Sequence, residues 1–402
     1  MNRTERSSGT TFRFLLISRA TRSVALIFTN LSVPIYLTLI GYSVVEIGLL
    51  FAGMAAFSML ISVAMGMLGD RIGFRPVLIL VEIPPLIALT LLSALDIQWL
   101  VGLAVILGGV GGTPGSMRGS FSPGTTAYIA KEWGNSESRR EKLGLISGIG
   151  SIAAIGGGVL LSLRSLLIPY VGDVLSYRVL YMASLALMVI SVLSLLMLGE
   201  RQEQKKRSRI MSGSSARYSF RVMAGNVING AGLGLGISIL PLWWYKVYGA
   251  DTFWIGVAFS VSYLATGIFS ILASRFRFSS ERSALSTAAY TRTFQGLLLI
   301  AVAFSPLFLL SAAIYVARSG IAGFGAPVRT VINVKGVSDG DYGTAISVQG
   351  LSMRLPQATS GSSGYLMNVY LPLPEALGGF VQMMGGFAYY LLFRNQPSTK
   401  IT

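Results

Sequence analysis

The chain has 402 residues, of which 52% are hydrophobic and 12% charged, and its mean hydropathy is +0.65. A soluble domain carries about 25% charged residues, so this composition excludes an ordinary soluble protein. The net charge of +16 could suggest a nucleic-acid binder, but such proteins place a basic face on a polar domain. We therefore expect a membrane protein and no nucleic-acid partner.

The residue types that are missing exclude several kinds of chemistry. The sequence contains no Cys and no His, which rules out disulfides, thiolate or imidazole metal sites and every nucleophile that depends on Cys or His. The acidic residues are scattered and form no Asp cluster of the kind that holds magnesium diphosphate in membrane prenyltransferases. We expect no enzyme, no cofactor and no metal site. The apolar run after Met1 to Thr11 is long and lacks a small-residue cleavage site, so no removable signal peptide is predicted.

Membrane-spanning segments can be predicted from apolar runs, because a helix needs about twenty apolar residues to cross a bilayer. Gly, Pro and charged residues separate twelve such runs. The predicted spans are 18–40, 45–68, 74–95, 99–129, 142–164, 174–198, 220–246, 252–274, 283–304, 307–330, 342–369 and 375–394. The fourth span should bend or break in its Gly108 to Gly115 stretch.

The distribution of Lys and Arg between the spans predicts the orientation. Cytoplasmic loops hold an excess of these residues, and nearly all of them fall on the side that also holds both termini. The opposite side holds only Arg164, Arg178 and Lys246. We therefore predict a multi-pass plasma-membrane protein with both termini in the cytoplasm.

The spans fall into two halves joined by a basic segment. Residues 1–199 and 220–402 each contain six spans, and residues 200–219 form a polar linker expected in the cytoplasm. The halves repeat each other: Pro34 in the first span corresponds to Pro241 in the seventh, 207 positions later. A duplicated six-helix unit is a known transporter plan, with the binding site near the midplane where the halves meet.

A short motif lies between the second and third spans. The segment Gly66-Met67-Leu68-Gly69-Asp70-Arg71-Ile72-Gly73-Phe74-Arg75 resembles the loop signature of the major facilitator superfamily, which is glycine, any residue, leucine, any residue, aspartate-arginine, any residue, glycine and two basic residues. The matching positions are Gly66, Leu68, Asp70, Arg71, Gly73 and Arg75. Phe74 departs from the pattern, because it replaces the first of the two basic residues.

The resemblance implies an all-α membrane fold of twelve transmembrane helices in two six-helix bundles related by a pseudo-two-fold axis. It also implies transport by alternating access and a gating role for the loop, in which Asp70 and Arg71 latch the outward-facing state. A charge-assisted contact of this kind can form in one domain arrangement and break in another. The other interpretation is that these charges only set the topology of a turn.

Charged residues inside a span are costly and are therefore candidates for the substrate site. Arg292, Arg318 and Arg354 each lie roughly 13 to 17 Å from the nearer end of their span. In the superfamily the first, fourth, seventh and tenth helices line the central cavity, which makes Arg318 the first candidate, Arg354 the second and Arg292 the third. Arg118 would join them only if the fourth helix bends. Unpaired arginines at a cavity would favour an anionic substrate, and the alternative is that they bond carbonyl groups or pair with acids.

Two further residues complete the predicted site. Asn30 lies near the midplane of the first span and is a candidate for substrate contact. Glu82, well inside the third span, is the candidate for proton coupling, because coupling normally needs a buried carboxylate; alternatively it pairs with a neighbouring cation. Arg19 and Arg22 are expected to extend to the cytoplasmic surface.

We predict a secondary active transporter that moves a small organic or anionic solute by alternating access, coupled to protons or driven by the solute's own gradient. One alternative is proton-driven efflux of hydrophobic drug-like compounds, and another is a non-transporting membrane receptor or assembly factor. The expected partners are a small-molecule substrate, membrane lipid and, in the coupled case, protons. The protein is expected to be a monomer.

Overall fold

A computed structural model describes residues 3–95, 97–108, 121–133, 136–199, 211–276, 278, 280–338 and 341–394. In these ranges the chain is almost entirely helical, and it forms no strand there. The helices are α1 (Arg3–Leu39), α2 (Val44–Ile72), α3 (Phe74–Ala94), α4 (Gln98–Gly108), α5 (Phe121–Glu132), α6 (Ser136–Val171), α7 (Asp173–Leu196), α8 (Gly213–Gly236), α9 (Leu240–Tyr248), α10 (Thr252–Arg275), α11 (Glu281–Ala303), α12 (Phe308–Lys335), α13 (Tyr342–Arg354), α14 (Ser360–Val369) and α15 (Leu373–Phe393). A 3-10 helix, Leu355–Thr359, joins α13 to α14.

Each of the twelve predicted spans coincides with one helix or with consecutive helices. The fourth span corresponds to α4 and α5, the seventh to α8 and α9, and the eleventh to α13, the 3-10 helix and α14. In the described part of the chain, nine helical stretches are long and apolar enough to cross a membrane. The other three predicted spans are the fourth, the ninth and the eleventh, two of which are made of shorter helices. Most of the predicted bend in the fourth span, residues 109–115, lies outside the described ranges.

The turn between α2 and α3 depends on a glycine of the motif. Gly73 has a φ of 95°, a conformation that side-chain-bearing residues rarely adopt. Its backbone N–H still donates to the carbonyl of Gly69, at 3.2 Å. The two helices are therefore joined by a single residue that reverses the chain, as the glycine pattern of the motif requires.

The chain divides into two compact units, each of which is made of three separate segments of the sequence. The first consists of Met1–Tyr42, Met54–Arg207 and Asp251–Ser260, and the second of Ser43–Gly53, Ser208–Ala250 and Val261–Thr402. The beginning of α2 thus belongs to the second unit and the beginning of α10 to the first. The division into 1–199 and 220–402 stays a prediction, and 200–210 of the predicted linker lie outside the described residues.

Each unit has its own buried core. In the first unit, side chains from α1, α3, α5, α6 and α7 meet, among them Leu15, Leu78 and Tyr128. In the second unit, α8, α11, α12 and α15 supply residues such as Val222 and Tyr389. Because lipid is as apolar as these side chains, close packing rather than the hydrophobic effect must hold the helices together.

Glycines provide that close packing within the first unit, where α6 crosses the beginning of α10. A Cβ atom on Gly256 would lie 2.4 Å from the carbonyl oxygen of Gly158, which is too close for any side chain. The same crossing carries hydrogen bonds from Ser162 Oγ to the Phe253 carbonyl at 2.9 Å and from Ser260 Oγ to the Ile155 carbonyl at 3.1 Å. The backbones therefore touch directly, as in small-residue contacts between membrane helices.

Candidate functional site

The second unit buries a polar network around Arg318 of α12. The side chain is 4% exposed; its Nε donates to the Gln295 carbonyl at 3.2 Å and its Nη2 to Gln382 Oε1 at 2.9 Å. Gln382 in turn donates through Nε2 to Asn229 Oδ1 at 3.2 Å. The network thus ties α8, α11, α12 and α15 together, and each acceptor in it is neutral.

Arg292 of α11 lies in the same unit and is 2% exposed. Its Nη2 donates to Asn226 Oδ1 at 2.8 Å and its Nη1 to the Gly225 carbonyl at 3.4 Å. Its guanidinium group also stands 4.6 Å from the centre of the Tyr389 ring, which is a cation–π distance. These acceptors are neutral as well.

Helical spacing places the polar partners of the two arginines on common helix faces. Residues three apart lie on the same face of a helix, so Arg292 and Gln295 share one face of α11, and Asn226 and Asn229 share one face of α8. Sequence reasoning selected Arg292 and Arg318 but missed the amides of Asn226, Gln295 and Gln382. Their spacing within otherwise apolar spans was the signal that could have found them.

The remaining predicted site residues lie elsewhere. Arg354 is the last residue of α13, immediately before the 3-10 helix, and is 8% exposed. Asn30 is also 8% exposed, but it belongs to α1 in the first unit. Arg118 lies outside the described residues. The structure therefore buries Arg292 and Arg318 in the same unit, each with its own amide partner, and places Asn30 in the other unit.

The first unit buries an ion pair between α1 and α3. Arg22 Nε lies 2.8 Å from Glu82 Oε1, and their side chains are 8% and 0% exposed. The Arg22 guanidinium also stands 4.8 Å from the centre of the Phe121 ring, and Arg19 interacts electrostatically with both members of the pair. Glu82 thus has the cationic neighbour that was the alternative to a coupling role, and that role stays a prediction.

The expectation that Arg19 and Arg22 extend to the membrane surface is wrong. They are 6% and 7% exposed, respectively. For Arg22 the physical reason is the acid on α3: a carboxylate within hydrogen-bonding distance offsets the cost of burying a guanidinium group, which apolar neighbours could not do. Arg19 is attracted by the charge of the same acid.

The predicted gating loop is only partly described. Gly66, Asp70 and Arg71 fall in the last turns of α2, and the side chains of Asp70 and Arg71 lie outside what the structure describes. Arg75 donates through Nη2 to the Leu196 carbonyl at 2.7 Å. This carbonyl ends α7, where a positive charge is favoured by the helix dipole. The latch therefore stays a prediction, and Arg75 has a structural partner of its own.

A second polar cluster joins the end of α6 to the start of α10. Arg164 Nη2 pairs with Asp173 Oδ1 at 2.7 Å, and its Nη1 donates to Thr252 Oγ1 at 3.1 Å. Asp251 accepts hydrogen bonds from Ser165 Oγ at 2.8 Å and from the backbone N–H of Phe253 at 3.2 Å. Sequence reasoning placed Arg164 on the side opposite the termini and missed this cluster.

The cluster also sets the protonation of Asp251. Partial burial acts to raise the pKa of Asp251, but the hydrogen bonds from Ser165, Phe253 and Thr252, together with the Arg164 charge, outweigh it and lower the pKa. Asp251 therefore holds its charge in the folded protein, and its hydrogen bonds keep α10 attached to α6.

Buried positive charge exceeds buried negative charge. Among the side chains that the structure describes, the buried acids are Glu82 and Glu375, and the buried bases are Arg19, Arg22, Arg164, Arg292, Arg318 and Arg354. Such an excess inside apolar helices is costly and is expected mainly where it serves a function.

In the described ranges the chain is almost entirely helical, nine helical stretches can cross a membrane, and several guanidinium groups are buried, as in a polytopic membrane protein. The chain belongs to the Major Facilitator Superfamily, because the sequence model of that family matches residues 15–361. This confirms the family and the fold class that the loop motif predicted.

Individual relatives are distant. The chain is 24% identical over 363 residues to the tetracycline resistance protein, class C, of Escherichia coli, covering 85% of this chain and 84% of that protein. Among solved structures it is similar to an auto-inhibited POT family peptide transporter (TM-score 0.76, 11% identity, 97% of this chain and 98% of that one). It is also similar to the nucleoside transporter NupG (0.67, 14%, 96% and 100%) and to the human organic anion transporter MFSD10 (0.68, 13%, 97% and 100%). At these identities the structures show the fold alone.

Proposed function

We propose that the protein is a secondary active transporter that moves a small organic anion across the plasma membrane by alternating access. Membership of the superfamily supports the transporter class. The observation that carries the choice of an anion is the polar network of the second unit, in which Arg318 is buried against neutral acceptors. The buried charge of Arg292 lies in the same unit and adds to the positive potential.

Neutral acceptors satisfy the N–H groups of an arginine without cancelling its charge. The positive potential that remains lowers the free energy of a nearby anion and raises that of a cation, and both effects are strong where water is scarce. A carboxylate or phosphate can accept two parallel N–H bonds from one guanidinium group, whereas the Gln382 amide oxygen accepts one from Arg318. An anion that replaced this amide would therefore gain an attraction to the positive charge and a second hydrogen bond from Arg318.

The experiment is uptake of labelled carboxylates and phosphate esters into proteoliposomes that contain the wild type, Arg318→Lys or Arg318→Gln. Arg318→Gln removes the charge and should abolish uptake of the transported anion. Arg318→Lys keeps the charge but not the planar fork, so uptake should fall by about tenfold, the factor that corresponds to one hydrogen bond of ~1.4 kcal/mol. Size-exclusion profiles establish that both variants are folded. Undiminished uptake by a folded Arg318→Gln variant would exclude a role for this arginine in anion transport.

A second candidate function is efflux of hydrophobic drug-like compounds. The observation in its favour is the similarity to a tetracycline resistance protein over 85% of this chain. Cells that express the protein would then accumulate less tetracycline or hydrophobic dye than control cells, and dissipating the proton gradient would remove the difference. Equal accumulation in both cell lines, with anion uptake in proteoliposomes, would favour the first function.

The orientation and the coupling belong to the same proposal. The asymmetry of Lys and Arg supports a cytoplasmic position for both termini. Glu82 is the coupling residue suggested by the sequence, although its pairing with Arg22 gives it a structural role that needs no proton. The monomeric state is likewise proposed.

A further inference from the structure

Glu375 is a buried acid that the sequence did not single out. It lies in the first turn of α15 and is 0% exposed. Neither of its carboxylate oxygens accepts a hydrogen bond from another described residue, its own backbone N–H being the one donor near them, and no described ion pair includes it. It differs in this respect from Glu82, one of whose oxygens is bonded to Arg22.

The acid stands beside an interruption in the seventh span. Helix α8 ends at Gly236 and α9 begins at Leu240. A Cβ atom on Gly236 would lie 3.1 Å from the Glu375 Cα and 2.9 Å from the Leu299 side chain, so this end of α15 packs directly against the break. Non-helical backbone at membrane depth is tolerated only where protein or a water-filled path surrounds it.

Few titratable groups face this carboxyl. The parts of α8 and α11 that pack near it, residues 230–236 and 296–303, contain no acid, base or tyrosine. The phenol of Tyr248 on α9 interacts with it electrostatically. Tyr365 on α14 and Tyr370 in the turn after it are 62% and 57% exposed. Lys246, on the same helix as Tyr248, is exposed, and no described ion pair joins a cation to Glu375.

An ionised carboxylate in such a place would be buried without a counter-charge and with no donor beyond its own backbone N–H, which is far more costly than burying the neutral acid. We propose that Glu375 is a proton-binding site that couples transport to the proton gradient. The structure holds it as a neutral carboxylic acid, and the proton leaves to water when another conformation hydrates the break between α8 and α9. This inference rests on the proposed transport function.

The position suits a site that exchanges protons with one face of the membrane. Glu375 lies two residues from the start of α15, about 3 Å along the axis. That end of α15 is the one away from the C-terminus of the chain. A small movement of α9 or α15 would therefore open the acid to water on that side, whereas Glu82 lies deep within α3.

The test compares the wild type with Glu375→Gln, which mimics the neutral acid but cannot release a proton, and with Glu375→Asp, which keeps the acid. The first measurement is accumulation of the transported anion under an imposed pH gradient. For one proton per anion, one pH unit supports about tenfold accumulation. We expect wild type and Glu375→Asp to accumulate the anion and Glu375→Gln only to equilibrate it, while exchange of labelled for unlabelled anion continues in all three. Gradient-driven accumulation by Glu375→Gln equal to that of the wild type would overturn the proposal.

A second measurement needs no substrate and separates this inference from the function on which it rests. Infrared difference spectra of the purified protein, recorded between about pH 5 and about pH 9, report the carbonyl band of protonated carboxyl groups in the range where buried acids titrate. We expect a buried-acid band in the wild type that is missing in Glu375→Gln. If no solute is transported but this difference is present, the substrate assignment fails and the proton site stands. Identical spectra of the two proteins would overturn the proton site whatever the substrate.

Discussion

The ion pair between Arg22 and Glu82 gives the most quantitative prediction. Glu82→Gln removes the negative charge while keeping the size of the side chain, and it leaves the Arg22 guanidinium buried with an amide partner. The two side chains are 8% and 0% exposed, so solvent cannot compensate for the lost charge. Breaking a buried pair by removing one partner costs about 3 to 5 kcal/mol. The positive charge of Arg19, which interacts with the same acid, favours the upper part of that range.

The change in the free energy of unfolding can be measured by unfolding the purified protein with a denaturing detergent in mixed micelles. The control on surface charge is Glu141→Gln, because Glu141 is exposed and its replacement should change stability by no more than about 0.5 kcal/mol. The double variant Arg22→Met with Glu82→Leu removes both charges and should be more stable than Glu82→Gln. A loss below about 1 kcal/mol in Glu82→Gln would refute the buried pair as a stabilising contact.

Three further predictions concern turns, packing and pH. Gly256→Ala should weaken the contact between α6 and α10 by about 1 to 3 kcal/mol. The control is Gly267→Ala on the same helix, where an added Cβ meets open space and stability should not change. Thermal unfolding compares the two variants, and equal stability would contradict the close contact. Gly73→Ala forces a side chain into a φ of 95° and should cost about 1 to 2 kcal/mol, which unchanged unfolding would disprove. Because the pKa of Asp251 is lowered, its contribution is fully present above the ordinary pKa of about 3.9 and is lost as the pH falls through the folded-state pKa. Asp251→Asn should therefore lower stability at neutral pH and reduce its acid sensitivity, and a variant with the wild-type pH profile would argue against this.

The broad architecture could be predicted because the bilayer leaves few choices. A chain must satisfy its backbone hydrogen bonds within each span. The length of the apolar runs, and the Gly, Pro and charged residues that separate them, are therefore enough to find the helices. The breaks at Ile237 to Ile239 and at Leu355 to Thr359 were not predicted. Both lie inside long apolar runs, and tertiary contacts such as that between Gly236 and α15 determine them.

The candidate site was predictable only in part, for a physical reason. Depth along a span can be counted from the sequence, and this identified Arg292 and Arg318 as buried. The partner of a buried charge depends on which helices are neighbours, which no count along one helix reveals. The pairing of Arg22 with Glu82 and the isolation of Glu375 both follow from such neighbours. Glu375 was further obscured because it begins its span, a position where acids usually face water.

The tryptophans of the seventh span show the same limit. Tryptophans near the end of a span are typical of an aromatic belt at the membrane surface, but Trp243 and Trp244 are both 0% exposed. Trp243 donates through Nε1 to the Leu371 carbonyl at 2.6 Å, and Trp244 to Ser311 Oγ at 2.8 Å. They fasten α9 to its neighbours within the second unit, a role that depends on tertiary contacts.

The preference of the transporter for charged over uncharged solutes tests most directly whether the transported solute is an anion. Proteoliposomes containing the wild type are offered matched pairs of labelled solutes of equal size, a carboxylate and its uncharged amide, with protein-free liposomes as the control. We predict protein-dependent uptake of the carboxylate and little uptake of the amide, because buried guanidinium groups favour the charged member of each pair. Equal uptake of both members, or uptake of the amide alone, would contradict it.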